Sequence, residues 1–297
     1  AVLLSNRPGR VTAVNVVELE EYLLGVVPSE IGRRPAEELE AVKAQAVAAR
    51  TYAIANLGGR EALGFDYYAT TADQVYGGIA AEDPVVSRAV EGTRGEILTY
   101  AGRPILAYFH STCGGRTAAI SEVWPWRAPQ PYLRSVSDRI PGTDRHYCDA
   151  SNRFRWTTTW TGEQLARILA STLVNRAGGR AGSLRRVERV ELDGKTGSGR
   201  AKAVRIVADG QTYTVRADSI RWVLRPEPGR ILNSSLLLSL EQERAGGEVR
   251  RLVVHGGGWG HGVGMCQWGA IGRARAGQDY REILSAYYRD TRISRLY

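Results

Sequence analysis

Pro35–Ala36–Glu37–Glu38–Leu39–Glu40–Ala41–Val42–Lys43–Ala44–Gln45–Ala46–Val47–Ala48–Ala49–Arg50–Thr51–Tyr52–Ala53 is the clearest helix of this sequence. Pro35 suits a first helical position, and Glu37 and Glu38 complement the positive end of the helix dipole. Leu39, Val42, Ala46, Ala49 and Ala53 recur at three- and four-residue spacing, which predicts one apolar stripe. Its alanines allow close packing, and Gln45 and Tyr52 border the stripe on a shared face. Before it, Val11–Val17 reads as a strand and Leu19–Leu23 as a helical turn. Gly25–Val26–Val27–Pro28–Ser29–Glu30–Ile31 then reads as a bend, because Pro28 lacks a donor and disfavours helix at Val27. That places Glu30 at a junction.

Downstream, residues 97–100 and 104–110 read as a hairpin around Ala101–Gly102–Arg103. Residues 116–160 read as loop and 163–173 as helix. Residues 187–192, 203–208 and 212–215 read as strands, and Tyr280–Tyr288 as an amphipathic helix. Helices and strands mix without a βαβ rhythm, so the expected fold class is α+β. The expected organisation is a single domain over residues 1–297, carrying a β-rich subdomain at about 160–250.

Composition narrows the functional classes. With 43% apolar and 24% charged residues the chain is globular, and no run of eighteen apolar residues occurs. The net charge of +9 is almost all arginine, Lys43, Lys195 and Lys202 being the lysines. The arginines are scattered, without a basic tail or recognition helix, which speaks against nucleic acid. There is no GK[ST] and no GxGxxG between a strand and a helix, which excludes common nucleotide-binding loops.

Two segments carry chemistry. Residues 255–270, His-Gly-Gly-Gly-Trp-Gly-His-Gly-Val-Gly-Met-Cys-Gln-Trp-Gly-Ala, hold seven glycines. That density needs a reason in close approach or positive φ, and the histidines, tryptophans and Gln267 suit a sugar. A tight structural turn with buried tryptophans is the alternative. His110–Ser111–Thr112–Cys113 and His146–Tyr147–Cys148 together offer two imidazoles and two thiols, a set for tetrahedral zinc. A Cys113–Cys148 disulfide and two unrelated thiols are the competing readings; Cys113 with His110 is a weaker nucleophile candidate. Four protein ligands would leave no position for water, so such a zinc is structural.

Leu19–Glu30 and Ala41–Ala53, followed by Asp73–Gly78, His110–Thr117, Glu122–Trp124, Pro131–Val136 and Gly258–Ala270, resemble in order the SpoIID/LytB family of sporulation stage II protein D. The resemblance implies a lytic transglycosylase that cleaves the β-1,4 bond between N-acetylmuramic acid and N-acetylglucosamine in denuded peptidoglycan strands. It implies Glu30 as the catalytic residue. Gln45, Arg50, Tyr52, Asp73, Gln74, Tyr76, His261 and Gln267 are the candidates for holding sugars. It also supports zinc at His110, Cys113, His146 and Cys148, since some members hold zinc through a His/Cys set. Cys266 departs from the family motif, which usually reads serine there. The implied setting is extracytoplasmic, with a cell-wall amidase as a partner. The alternative within the family is a non-catalytic enhancer of an N-acetylmuramoyl-L-alanine amidase, and Glu30 in the matching position favours catalysis.

Overall fold

A computed structural model describes residues 2–7, 10–173 and 184–297. In chain order its elements are β1 (Val2–Arg7), β2 (Arg10–Val14), α1 (Leu19–Ile31), α2 (Leu39–Asn56), α3 (Pro84–Gly92), β3 (Glu96–Tyr100) and β4 (Arg103–Pro104). There follow β5 (Phe109–His110), α4 (Ile120–Val123), β6 (Arg155–Thr161), α5 (Gly162–Thr172), β7 (Val187–Lys195), β8 (Ala201–Ala208), β9 (Gln211–Arg216) and α6 (Ser219–Val223). The remainder are β10 (Leu237–Ala245), β11 (Glu248–Gly257), β12 (Met265–Cys266), α7 (Gln267–Arg275), α8 (Tyr280–Tyr287) and β13 (Arg292–Arg295). The class is α+β, with mainly antiparallel sheets. The chain forms two compact units, one of residues 1–108 and 273–297, the other of residues 109–272.

The first unit is built around α2. Ala41, Val42, Ala44 and Ala46–Ala49 are all buried, so the helix is enclosed on every side rather than along one stripe. The reason is its company: α1, α3, α8 and β3 all pack on it, and alanine lets each approach closely. Its deepest polar group is Arg50, fully buried, which makes a bidentate pair with Glu20 at 2.9 and 2.7 Å. Arg50 also donates to the carbonyls of Glu96 and Val90. Burial pushes the Glu20 carboxyl up, but its bonds from Arg50, Tyr297 and the Gly95 amide outweigh this, and the net shift is downward.

Two sequence expectations change here. The bend expected at Pro28 is absent: α1 runs from Leu19 through Pro28 to Ile31. Proline costs a helix one hydrogen bond, here the one to the Leu24 carbonyl, and this proline lies in the last turn; the neighbouring Gly25 carbonyl accepts from the Ser29 hydroxyl (2.8 Å) and the Gly77 amide (3.0 Å). The hairpin after Tyr100 is also shorter than its apolar run suggested. β3 pairs with β4 only at Arg103–Pro104, and β13 takes its other edge. Phe109–His110 instead pairs in parallel with Met265–Cys266.

In the second unit, β10–β11–β6 and β7–β8–β9 are antiparallel sheets. They share a core with α5 and α6 in which Trp160, Leu165, Leu169, Val190, Val204, Ile206, Leu252 and Val254 are buried. β8 is buried at Ala201, Ala203, Val204, Ile206 and Ala208 and exposed at Lys202 and Arg205, so it departs from strict alternation at Val204. Residues 174–183 lie outside those described.

Candidate active site and thiol cluster

Glu30 sits in the last turn of α1, half-buried, and its Oε1 accepts a 2.7 Å hydrogen bond from the Val75 amide. Burial raises its pKa above the ordinary carboxylate value, and the Val75 bond only partly offsets this. A protonated carboxyl is thereby favoured where a general acid is needed.

Tyr22, about two α1 turns upstream, is close enough to feel the Glu30 charge and stacks on Tyr76 (centroids 5.4 Å apart) and Tyr67 (5.8 Å). Burial raises its pKa, and the nearby Glu30 and Asp73 charges add to the shift, so its hydroxyl stays protonated. That hydroxyl donates to Gln74 Oε1 at 3.2 Å, while Gln74 Nε2 donates to the Ala49 carbonyl. Gly25 makes the arrangement possible: a Cβ there would stand 2.5 Å from Tyr76 Cε2. Tyr22, Phe65, Tyr67, Tyr68, Tyr76 and Asn15 line a cavity of about 480 Å³. Flat faces with hydroxyl rims suit a carbohydrate ring.

The sequence-derived candidates divide accordingly. Glu30, Gln45, Arg50, Tyr52, Asp73, Gln74 and Tyr76 belong to the first unit, His261 and Gln267 to the second. Tyr76 lines the cavity. Tyr52 is half-buried and meets Tyr108 edge-on at 6.0 Å. Arg50, Gln45 and Gln74 are fully buried. Asp73 is held by Arg60 in a bidentate pair (2.9 and 2.7 Å) and accepts from the Tyr68 amide, which makes it a tie for the 60–73 loop.

In the second unit the glycines of residues 256–264 have a structural cause. Gly258 passes so close to the Thr112–Cys113 backbone that a Cβ would lie 2.6 Å from the Thr112 carbonyl. Thr112 and Trp259 exchange both backbone hydrogen bonds, at 3.0 and 2.8 Å. Trp259 remains exposed, while His261 packs against Trp124 (5.1 Å) and His110 (5.5 Å). Burial lowers the His261 pKa to about 4, so it is neutral and its Nδ1 accepts from the Val263 amide. Gln267 is buried at the start of α7.

The expected two-His, two-Cys set is not what converges. Cys113 and Cys148 do meet, Sγ to Sγ 3.4 Å, but their companions are Asp138 and Cys266. The ligand atoms of these four buried residues all lie within 4.8 Å of one another, a group able to hold a metal ion. His110 is turned away, its Nδ1 donating to the Val263 carbonyl at 3.2 Å, and burial lowers its pKa. His146 lies against Phe154 and over Gly115, where a Cβ would come within 3.0 Å of the ring. All three thiols are free, so the Cys113–Cys148 bond is not formed here. Asp138 went unmarked in the sequence because it follows the last residue of the matched 131–136 block by two. Cys266 was visible as a departure from the family motif but carried no sign of partners.

A half-buried glutamic acid of raised pKa and a tyrosine-lined cavity are thus the marked features of the first unit. Comparison with known proteins gives the family. Residues 7–100 match the model of the stage II sporulation protein family, SpoIID, and residues 142–264 match a domain of unknown function, DUF8618. The stage II sporulation protein D of Bacillus subtilis is 30% identical over 95% of this chain and 76% of its own length. The amidase enhancer of the same organism is 31% identical, and an uncharacterised protein of Brachyspira hyodysenteriae 36%. This chain spans 40% of the enhancer's length and 66% of the Brachyspira protein's. The chain belongs to the SpoIID/LytB family. Among the described residues no helix is long and apolar enough to cross a membrane.

Proposed function

We propose that this protein is a cell-wall enzyme, a lytic transglycosylase that cleaves the bond between N-acetylmuramic acid and N-acetylglucosamine in peptidoglycan stripped of stem peptides. The observation that carries the reading is Glu30: a carboxyl with a raised pKa, fixed through one oxygen by the Val75 amide. Ordinary glycosidases need a second carboxylate as nucleophile or base. Asp73 is tied up by Arg60, and a transglycosylase needs none. Glu30 gives its proton to the glycosidic oxygen as the bond from that oxygen to the muramic acid C1 breaks. The resulting carboxylate takes the proton of the same sugar's C6 hydroxyl, whose oxygen bonds to C1 and closes a 1,6-anhydro ring. No water is consumed, and the intramolecular attack derives its rate from positioning. The tyrosine-lined cavity supplies the faces on which sugar rings are held.

The setting is extracytoplasmic, and the zinc implied by the family resemblance belongs to the thiol cluster as a structural ion. A second reading, a wall-binding partner that stimulates an amidase, is supported by the 31% identity to the amidase enhancer. A digest of stem-peptide-free glycan strands with wild type and Glu30→Gln, read by mass spectrometry, separates the two. Products one water lighter than hydrolysis products, absent with the Glu30→Gln variant, are expected. No cleavage by folded wild type overturns the enzyme in favour of the enhancer.

A further inference from the structure

We infer that Cys113, Asp138, Cys148 and Cys266 form a three-sulfur, one-oxygen zinc centre whose excess negative charge is partly offset by the buried Arg200, with neither His110 nor His146 as a ligand. The inference rests on the zinc reading of the second unit and is independent of the transglycosylase reading.

Four ligands around zinc at about 2.3 Å stand about 3.8 Å apart. The four ligand atoms here lie within 4.8 Å of one another, with Cys113 and Cys148 Sγ at 3.4 Å and Cys113 Sγ and Asp138 Oδ2 at 3.6 Å. All four residues are fully buried. Backbone donors already aim at the sulfurs: the Cys113 and Gly269 amides at Cys266 Sγ, both 3.2 Å, and the Gly115 amide at Cys113 Sγ, 3.4 Å. Three N–H groups turned onto two buried sulfurs is the surrounding a thiolate needs and a neutral thiol does not.

The charge balance points the same way. Three thiolates and a carboxylate carry four negative charges, and a divalent ion leaves two. Arg200 is 1% exposed, and no carboxylate pairs with it among the described residues. Its donors go to the carbonyls of Cys113 (3.4 Å) and Arg116 (3.2 Å), and its Nε is buried without a partner. An isolated buried cation is costly. Next to an anionic metal centre the same cation is compensated. Gly262 shows that the guanidinium's place is built in: its φ of +88° leaves room that a Cβ, 2.1 Å from an Arg200 nitrogen, would fill.

A disulfide between two of the sulfurs would leave the third thiol and Asp138 in contact with it, and would take two thiolates from the neighbourhood of Arg200. Three convergent sulfurs fit the metal better.

The test is metal analysis of the full chain purified without chelator, a thiol titration under denaturing conditions, and the visible spectrum after replacing the ion with cobalt(II). One zinc per chain is expected, with three titratable thiols and the sulfur-to-cobalt charge-transfer bands of a tetrahedral thiolate site. His110→Ala and His146→Ala should leave the cobalt spectrum unchanged. Cys266→Ser should shift it, and Asp138→Asn should weaken zinc binding at least tenfold. Arg200→Gln should weaken zinc about 10–100-fold, as outer-shell changes do, with the band positions kept. Zinc retained in Cys266→Ser with an unshifted spectrum, but lost in either histidine variant, would overturn this ligand set while leaving a zinc protein. A metal-free chain, with one titratable thiol or three, would overturn both.

Discussion

The Val75 amide and the Glu30 carboxyl, 45 residues apart, are joined by a 2.7 Å hydrogen bond. The bond holds one oxygen of the acid; in the proposed reaction the other meets the sugar. It also depends on the course of residues 74–77, which Gln74 ties to Ala49 and Gly77 ties to Gly25.

Glu30→Gln keeps the shape and the acceptor for Val75 but removes the proton. Turnover of denuded glycan should fall by about 10²–10⁴-fold or more, while circular dichroism and pull-down on glycan strands stay as in wild type. Loss of folding would make Glu30 a structural carboxylate.

The raised pKa of Glu30 has a stability consequence. Between its ordinary value of 4.5 and the higher folded value, the native state binds more protons than the unfolded one, so stability contributed here falls as pH rises. Glu30→Gln lacks that dependence. Its melting temperature relative to wild type should therefore climb from pH 4 toward neutrality, and a constant difference would argue against burial of the charge.

Gly25→Ala places a methyl 2.5 Å from the Tyr76 ring. Overpacking of this kind costs about 1–3 kcal/mol, measurable by urea denaturation. Because Tyr76 follows Val75 directly, the displacement should lower kcat by more than the loss of folded protein accounts for.

Arg50 is assigned to the scaffold, which separates it from the sugar-binding candidates. Arg50→Ala strands Glu20 in the interior and should cost about 3–5 kcal/mol. Arg50→Lys should destabilise less, with KM for glycan unchanged in the folded fraction; a raised KM would return Arg50 to the binding site. Glu20 has the opposite linkage to Glu30: its folded pKa is depressed. Its stabilising contribution is present above the ordinary value and is lost as pH falls through the folded one.

What the sequence disclosed depended on how local the cause was. The α2 helix, the strands β7–β9 and the capped helix α8 could be read because propensity and period agree within each. The continuous α1 could not, since Pro28 in the last turn costs a single bond, to the Leu24 carbonyl, and the helix runs on through it. Glu30 was singled out through the block around it. The Val75 amide carries no side-chain signature, and Tyr22 became meaningful only once Tyr67 and Tyr76 were stacked on it. In the second unit Cys113 and Cys148 were paired correctly, but short histidine spacings drew attention from Asp138 and Cys266, which only the fold brings near.

The first residue of β6, Arg155, pairs with the last of β11, Gly257. Everything from 155 to 257 thus leaves the chain path and returns to it at adjacent positions, about 5 Å apart. Such an insert can lengthen or shrink during evolution without disturbing the register of what flanks it. This one is not interchangeable, because Arg200 reaches out of it to the Cys113 carbonyl. Without the 155–257 segment the Cys113 carbonyl loses that donor, so what the segment carries inward is tied to a loop outside it.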